Sequence, residues 1–447
     1  MTKRGSFILN GVERIVVPQI IRAPGVFFTA ISYFGQNYFG ARIIPDHGCW
    51  LEFEMSKDYT LWAKIDKKRR IPATMILRFF GMEDNNEILN TFSEDVKGLD
   101  IDIIKETIKK DITKTKDEAI IEIYRSQRPG DLATLDNAKE YLENLFFNRH
   151  RYDLSEVGRW RMGQRLVEIN PNLEKNGQFI TQTDIIATIK EIIRLQKTPG
   201  SLPDNIDHLG NRRIRPINEL LKTVFRRAMM RIARIARDRM SILKMEEIEP
   251  KNIINPRPLV SAINEFFTQG QLSQFMDNEN PLAEIEHKRR LSAMGPGGLA
   301  RKRAGFEVRD VQSSHYGRIC PIQTPEGQNV GLVIHMSIFS KINNFGFLET
   351  PYFKVKSRRI TNEICYLNAI EEERYIIAPA TVNINDKNFI VDDLVEARIK
   401  GEPGIIESEE IDFIDVSCQQ ILSIAASLIP FLEHDDANRA LMGSNMQ

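Results

Sequence analysis

Over the first 90 residues, apolar and polar positions alternate in short runs, the pattern of strands whose two faces meet different surroundings. Gly, Pro and Asn separate the runs, as expected for turns. The pattern predicts strands at residues 6–9, 14–17 and 50–54, and strand-like alternation returns at 331–389. Residues 84–117 are rich in Lys, Asp and Glu, which predicts a solvated surface element.

Apolar residues three and four positions apart predict helices in the middle of the chain, at residues 137–147 and 183–196, the second capped by Thr181 or Thr183. A longer helix is predicted at 216–244, with Pro216 in its first turn, and a last one at 416–428. The fold class predicted is therefore α+β, with mixed strands and helices in several domains. The predicted buried stripe of the long helix consists of Leu221, Val224, Phe225, Ala228, Ile232 and Ile235.

Composition places the chain among ordinary globular proteins. Its 447 residues are 42% hydrophobic and 27% charged, which excludes disordered, collagen-like and disulfide-stapled classes and predicts about three domains. The four cysteines form no CxxC pair, which argues against a zinc ribbon or redox motif and suits a reducing compartment. The most apolar stretch, 421–432, is far too short to span a bilayer, so no membrane contact is expected.

The net charge of zero argues against a uniformly basic nucleic-acid binder, but the charge is segregated along the chain. Residues 211–245 hold eleven Lys and Arg and only two acidic residues. Arg212, Arg213 and Arg215 are predicted in a loop, and six further cations follow at helical spacing. Such a surface attracts phosphate. The alternative is a surface paired with acidic neighbours elsewhere in the protein.

A second candidate site lies at residues 271–310, where amide, carboxylate, imidazole and guanidinium groups surround a Gly-Pro-Gly-Gly turn at 295–298. Cationic residues flank the turn at 288–290 and 301–303. No Gly-Lys dipeptide occurs in the chain, so this is not a Walker phosphate loop. A flexible cationic loop of this kind suggests contact with an extended polymer.

Near the end of the sequence, Glu433, His434, Asp435 and Asp436 could ligate a metal or act in acid–base catalysis. Adjacent side chains cannot all point to one centre, so a phosphate contact through Arg439 is the simpler interpretation. His208 and His315 are interpreted as structural hydrogen-bonding residues. The aromatic pair within 145–147 is interpreted as core.

Taken in order, segments along nearly the whole chain resemble the β subunit of bacterial-type, multisubunit DNA-directed RNA polymerase. The segments are GSFILNG (5–11), RAPGVFF (22–28), ARIIP (41–45), RYDLS (151–155), DHLGNRR (207–213), the stretch 271–310, YGRICP (316–321), TPEG (324–327) and FLEHDDANRALMG (431–443).

This resemblance implies a division into the parts of that subunit. They are strands joining protrusion and lobe (1–35), the lobe (36–205), a partial protrusion with the arginine-rich helix (206–279), the fork (280–350), an external domain (351–429) and the start of the hybrid-binding region (430–447). Full-length members extend beyond both ends, so the resemblance implies a fragment or a naturally split subunit, inactive alone.

The resemblance also implies site residues. Arg439 matches an arginine that contacts the phosphates of the incoming nucleotide, and Arg212, Arg213, Arg215, Arg301 and Arg303 are expected to contact nucleic acid. A rifamycin-type inhibitor pocket carries over onto Gln274, Asp277, His287, Arg290 and Ser292. Met294 stands where many members have Leu, an apolar change of similar volume.

No catalytic residue, metal or cofactor is expected on this chain itself, because the family holds its catalytic Mg²⁺ on the largest subunit. The implied partners are the β′, α and sigma subunits, the DNA template, the RNA–DNA hybrid and NTPs. The implied location is the cytoplasm, at the nucleoid, or the plastid stroma. The competing interpretation is a non-catalytic nucleic-acid-binding or assembly module of a transcription complex.

Overall fold

The computed structural model describes residues 1–99, 101–242 and 249–446. The chain divides into two compact units, of which unit 1 consists of Met1–Arg22 and Asp207–Gln447, and unit 2 of Ala23–Ile206. Both contain helices and sheets, which confirms the predicted α+β class.

The strands of the described residues are numbered in chain order. They are β1 (Phe7–Leu9), β2 (Val12–Val16), β3 (Gln19–Arg22), β4 (Gly25–Tyr33), β5 (Gln36–Ile44), β6 (Leu51–Met55), β7 (Leu61–Ile65), β8 (Ile71–Pro72), β9 (Arg212–Arg215), β10 (Ser273–Phe275), β11 (Arg290–Ser292), β12 (Val333–His335), β13 (Lys341–Ile342), β14 (Leu348–Lys356), β15 (Arg359–Asn368), β16 (Ile376–Ala378), β17 (Leu394–Ile399), β18 (Glu402–Glu407) and β19 (Phe413–Asp415).

The α-helices are numbered in the same way. They are α1 (Ala73–Phe79), α2 (Asn85–Phe92), α3 (Ile103–Lys110), α4 (Lys116–Gln127), α5 (Leu135–Phe146), α6 (Ser155–Arg165), α7 (Gln182–Lys197), α8 (Ile217–Ile242), α9 (Pro250–Ile253), α10 (Arg257–Gln269), α11 (Pro281–Lys288), α12 (Ala369–Glu372), α13 (Ile424–Ser427) and α14 (Ala437–Asn445).

Unit 2 is an antiparallel meander of β4 to β8 with helices α1 to α7 around one hydrophobic core. The core buries Phe28 and Phe53 from the sheet together with Phe146 from α5. Helix α7 begins at a capping box, in which the Asp184 carboxylate accepts a hydrogen bond from the Thr181 backbone N–H at 2.8 Å. The alternative that Thr181 is the cap is therefore confirmed, and β6, α5 and α7 confirm the predictions at 50–54, 137–147 and 183–196.

The prediction of a solvated surface element at 84–117 holds for most of its charged side chains, which are exposed, but it misses the apolar face of the segment. The segment forms α2 and α3, and their apolar residues, including Ile88, Phe92 and Ile103, are buried in the core of unit 2. Each helix has only eight residues, so one apolar stripe suffices to bury it while its many charged side chains face outward.

Unit 1 contains three sheets, with strand orders β1-β2-β10, β12-β11-β3-β9 and β13-β14-β19-β16-β17-β18, and β15 pairs with β14. Strands β1 and β2 confirm the predictions at 6–9 and 14–17. The four-stranded sheet gathers remote segments: β3 runs antiparallel to β9 and parallel to β11, which pairs with β12. This sheet is the scaffold of the candidate site.

Two predictions of secondary structure fail in unit 1. Residues 212–215 form β9 rather than a loop, because they pair along their length with Gln19–Arg22. The helix predicted at 416–428 is interrupted: a 3-10 turn at Cys418–Ile421 ends in extended backbone at Leu422, and only α13 follows, capped by Ser423. The apolar periodicity of a single segment does not show which distant strand it pairs with or where a cap interrupts it, so both predictions failed.

Helix α8 confirms the long helix up to Ile242, and the end predicted at Lys244 lies outside the described residues. Its predicted buried stripe is largely wrong. Ala228 is buried, but Phe225 is 45% exposed, and the other members are only half-buried. The amphipathic pattern is real, yet within unit 1 the apolar face of α8 is packed mainly at Leu220 and Ala228.

A buried ionic network crosses unit 1. Arg318 is fully buried, with one guanidinium nitrogen 2.5 Å from Glu372, and Glu372 lies 3.7 Å from Arg398. Arg398 forms a two-pronged pair with Asp415, at 2.7 and 3.0 Å. Asp415 also accepts from the hydroxyl of Tyr316 at 2.7 Å. The network links the segment before β12 to the seven-strand sheet. No helix within the described residues is long and apolar enough to cross a membrane.

Candidate functional site

The site is built where β11 lies between β3 and β12. Ser292 of β11 pairs with Gln19 of β3, and its backbone N–H donates to the carbonyl of Pro18 at 3.0 Å. Helix α11 leads into β11 and begins at Asn280, whose side chain accepts from the N–H of Ala283 at 2.8 Å. Strand pairing and a helix cap thus fix the segment 280–292 against the start of the chain.

His287 stands at the centre of a polar cluster and is 1% exposed. Its Nδ1 accepts a hydrogen bond from the backbone N–H of Asp277 at 3.2 Å, and its Nε2 lies 3.0 Å from Oε1 of Gln274. A backbone N–H can only donate, so the proton of a neutral imidazole is on Nε2, which donates to Gln274. Burial and the charge of Arg290 lower the pKa of His287 to about 4, against the opposing effect of Asp277. The imidazole is therefore neutral near pH 7.

Four of the five residues predicted for the inhibitor pocket lie together in this cluster. Arg290 is 3.8 Å from the carboxylate of Asp277, and Gln274 and Asp277 both contact His287. The fifth, Ser292, lies two positions further along β11, and its hydroxyl accepts from the N–H of Met294 at 3.2 Å. Asp277 is open to solvent, while His287 and Ser292 are buried. The group brings together a carboxylate, an amide and a guanidinium around a buried imidazole.

The glycine turn beside this cluster is held from below by Gln19, a residue that sequence reasoning missed. Gln19 is fully buried, and its side-chain N–H₂ donates to the carbonyls of Met294 at 3.0 Å and Pro296 at 3.2 Å. A Cβ on Gly298 would lie 2.5 Å from the carbonyl of Ala293 and 2.6 Å from the Gln19 amide. The turn is thus closely packed against Gln19 and Ala293, and the flexibility expected of this loop stays a prediction.

A second buried pair supports the same sheet, and it too was missed. Nδ1 of His335, on β12, lies 2.9 Å from the carboxylate of Glu286, and Glu286 also accepts from the N–H of Ala425 at 2.8 Å. Burial alone would raise the pKa of Glu286, but His335, the backbone N–H of Ala425 and the Gln323 side chain together lower it, and the net shift is downward. Burial lowers the pKa of His335. Both pKa shifts fit an ionised Glu286 beside a neutral His335. The two residues are 49 positions apart, so no local sequence signal could have paired them.

The predicted nucleic-acid-contacting arginines occupy different environments. Arg213 is 3% exposed and forms a two-pronged pair with Glu219, at 2.9 and 2.7 Å. Arg212 is also buried, and burial, together with the nearby charge of Arg22, lowers its pKa despite Asp207. Arg215 is half-buried and donates to Thr223 at 3.1 Å. Arg301 and Arg303 are exposed on a 3-10 turn that follows the glycine turn.

Arg439 lies in the first turn of α14, which Asp436 caps by accepting from the N–H of Asn438. The guanidinium is exposed and lies 3.1 Å from the sulfur of Met442. The other end of α14 is anchored to the TPEG segment, since the side chain of Asn445 donates to the carbonyl of Thr324 at 2.9 Å. Arg439 therefore does not belong to the His287 cluster. It lies on a helix that is hydrogen-bonded to the loop before β12.

The remaining candidates are structural or have no supporting geometry. His208 and His315 each accept a backbone N–H at Nδ1, from Gly210 and Gln312, as the structural interpretation predicted. Of the aromatic pair, Phe146 is core, but Phe147 is 42% exposed, so the core interpretation is wrong for it. Across residues 1–99, 101–242 and 249–446, no three or more His, Cys, Asp or Glu side chains are grouped to hold a metal ion.

Comparisons with known proteins match these segments. Three family models align with the chain: RNA polymerase Rpb2, domain 2, over residues 22–215; RNA polymerase Rpb2, domain 3, over 274–342; and the RNA polymerase beta subunit external 1 domain, over 352–417. The DNA-directed RNA polymerase subunit beta of Syntrophomonas wolfei subsp. wolfei is 49% identical over 450 residues, covering 100% of this chain and 40% of that protein. The chain belongs to the family of bacterial-type RNA polymerase β subunits.

A second β subunit, from Gloeobacter violaceus, is 46% identical over 448 residues, covering 100% of this chain and 39% of that protein. The predicted resemblance is confirmed, and the chain spans about two fifths of the length of the curated relatives it matches. The five pocket residues, with Arg301 and Arg303, fall within the Rpb2 domain 3 match. Arg439 lies outside all three matched ranges.

Proposed function

We propose that this chain acts within a DNA-directed RNA polymerase, supporting template-directed RNA synthesis from NTPs, and is inactive alone. The observation that carries the proposal is that this chain, over its whole length, is 46–49% identical to proteins named DNA-directed RNA polymerase subunit beta. Its partners would be the β′, α and sigma subunits, DNA and the RNA–DNA hybrid. The catalytic Mg²⁺ would be held by the largest subunit. The protein would work in the cytoplasm at the nucleoid, or in the plastid stroma.

Within this function, Arg439 would bind the phosphates of the incoming nucleotide. An exposed guanidinium on the anchored helix α14 can form a fork of hydrogen bonds to phosphate oxygens. It would act by positioning the nucleotide and stabilising negative charge, without taking or giving a proton.

Arg301 and Arg303 would contact the nucleic-acid backbone. Their exposure supports direct contact, and each phosphate contact adds to the salt dependence of binding. Arg212, Arg213 and Arg215 would act at the same surface mainly by positioning, because two of the three are buried.

The test is Arg439→Ala in the complete, reconstituted enzyme, with Arg439→Lys as the conservative variant and Arg257→Ala as an exposed-arginine control. Substrate binding by Arg439 predicts a raised KM for NTPs or a lower turnover, with assembly intact and partial rescue by Lys. Failure of assembly alone would favour the alternative, a non-catalytic nucleic-acid-binding or assembly module. RNA synthesis by the purified chain alone would contradict the expectation of inactivity.

We also propose that the His287 cluster binds a rifamycin-type inhibitor through Gln274, Asp277, His287, Arg290 and Ser292. The support is that four of these side chains contact one another and the fifth lies two residues away on β11. Ser292→Leu or His287→Tyr in the complete enzyme should weaken inhibition, whereas Ser261→Leu on the exposed face of α10 should not. Unchanged inhibition in the first two variants would exclude this site.

A further inference from the structure

A groove of about 780 Å³ lies on the surface of unit 2. It runs between the start of α4, the second half of α5 and the residues that follow α1. Its volume is within the range of about 300–1,000 Å³ typical of ligand pockets. All of its walls belong to unit 2.

The floor of the groove is apolar. Phe79 and Ile120 are buried beneath it, and Phe147 forms one wall with 42% of its surface exposed. The ring of Phe147 packs against Phe79 and Phe80, with centroids 6.0 and 5.7 Å away, and its other side is open. A half-open aromatic ring on a packed aromatic base offers a place for one more apolar side chain.

The rim of the groove is negatively charged. Four carboxylates line it against two ammonium groups, and the pair of Asp117 with Lys139, at 3.0 Å, neutralises one of each. Glu83, Glu140 and Glu143 then face the single charge of Lys116. The three glutamates are exposed, and Glu140 and Glu143 are only one helical turn apart on α5.

Helix polarity adds to this charge. Glu143 lies in the last turn of α5, where the free carbonyls carry the negative end of the helix dipole, and that turn contains no basic residue. Lys or Arg is common at such an end, and the last turn of α5 has neither.

We propose that this groove is a docking site for a peptide segment of a partner protein that presents one large apolar side chain flanked by Lys or Arg. The apolar residue would cover Phe147, and the cations would pair with Glu83, Glu140 and Glu143. Nucleic acid is a poor occupant, because its phosphates would face three carboxylates and a helix C-terminus. The groove belongs to unit 2, whereas Arg439 and His287 belong to unit 1, and the proposal does not depend on their roles.

The experiment measures fluorescence polarisation of a labelled KRLFKR peptide with the full chain, alongside an acidic EDLFED peptide and a single-stranded oligonucleotide. The basic peptide should bind, and its affinity should fall as salt is raised. The double variant Glu140→Lys with Glu143→Lys should weaken binding roughly tenfold, and Phe147→Ala by a similar factor. Glu156→Lys, an exposed glutamate of unit 2 outside the groove, is the matched charge control.

Circular dichroism and thermal unfolding show whether each variant is folded. If Phe147→Ala disturbs the aromatic packing, the glutamate variants still test the groove, because they leave the aromatic residues unchanged. Three outcomes would overturn the proposal: absence of binding by KRLFKR, equal loss in Glu156→Lys, and affinity unchanged in both groove variants. Phe147-dependent binding of the oligonucleotide, with none of the peptide, would overturn it in favour of nucleic acid.

Discussion

The side-chain amide of Gln19 donates a hydrogen bond to the carbonyl of Met294 at 3.0 Å, although the two residues are 275 positions apart in the chain. With the second bond to Pro296, this contact sets the shape of the glycine turn beside the His287 cluster. A single buried amide thus connects strand β3 to the loop that is predicted to contact nucleic acid.

Gln19→Leu should loosen this turn, because it removes the hydrogen bonds to the carbonyls of Met294 and Pro296, and Met294 is buried. We expect a loss of about 1–3 kcal/mol in the free energy of unfolding, and faster hydrogen exchange at residues 294–299. Exchange mass spectrometry and urea unfolding measure these effects, with Gln269→Leu on the exposed face of α10 as control. Protection of the turn equal to that of the unmodified protein would show that Gln19 does not hold it.

Gly298→Ala tests the same fit from the other side. The added Cβ would meet the Ala293 carbonyl at 2.5 Å and the Gln19 amide at 2.6 Å, so the turn must shift, at a cost of about 1–3 kcal/mol. At Gly305 no atom lies within 4 Å of an added Cβ, and Gly305→Ala should leave stability nearly unchanged. Thermal unfolding of both variants decides the question, and equal melting temperatures would contradict the close fit.

Removal of Asp415 should destabilise unit 1 strongly. Asp415→Ala leaves the largely buried guanidinium of Arg398 without its two-pronged partner, and breaking such a pair costs about 3–5 kcal/mol. The control is Asp393→Ala, since Asp393 is 91% exposed and its pair with Arg358 should contribute at most about 1 kcal/mol. Comparable losses in the two variants would mean that burial does not set the strength of these pairs.

Acid should weaken the fold through its buried histidines. Burial lowers the pKa of His315 to about 4, assisted by the charges of Arg212, His208 and Arg318, whereas its ordinary value is 6.5. Between these two pH values the unfolded chain binds more protons, so stability falls as the pH is lowered through that window. His287 acts in the same direction.

The urea midpoint should therefore drop between pH 7 and pH 4.5, and the drop should be smaller in His315→Gln. Exposed His434 provides the control, because His434→Gln should keep the full drop. If the urea midpoint of His315→Gln falls with pH as steeply as that of the unmodified protein, His315 does not contribute to the loss of stability in acid.

The sequence by itself determined the local elements with strong patterns. Alternation located β1, β2 and β6, helical spacing and the Thr181 cap located α7, and the ordered motifs identified the polymerase family. The motifs also named His287 and its neighbours as one site. These features are properties of short segments, and neighbouring residues are enough to express them.

Only the tertiary structure decided which groups are available to a ligand. The arginines at 212–215 became a strand with two buried guanidinium groups, because β3 pairs with them, and Phe147 became exposed although it adjoins the fully buried Phe146. Gln19, Glu286 and His335 joined the site through contacts across tens to hundreds of residues. Periodicity reports which side of an element is apolar, whereas burial and pairing depend on what distant segments bring against it.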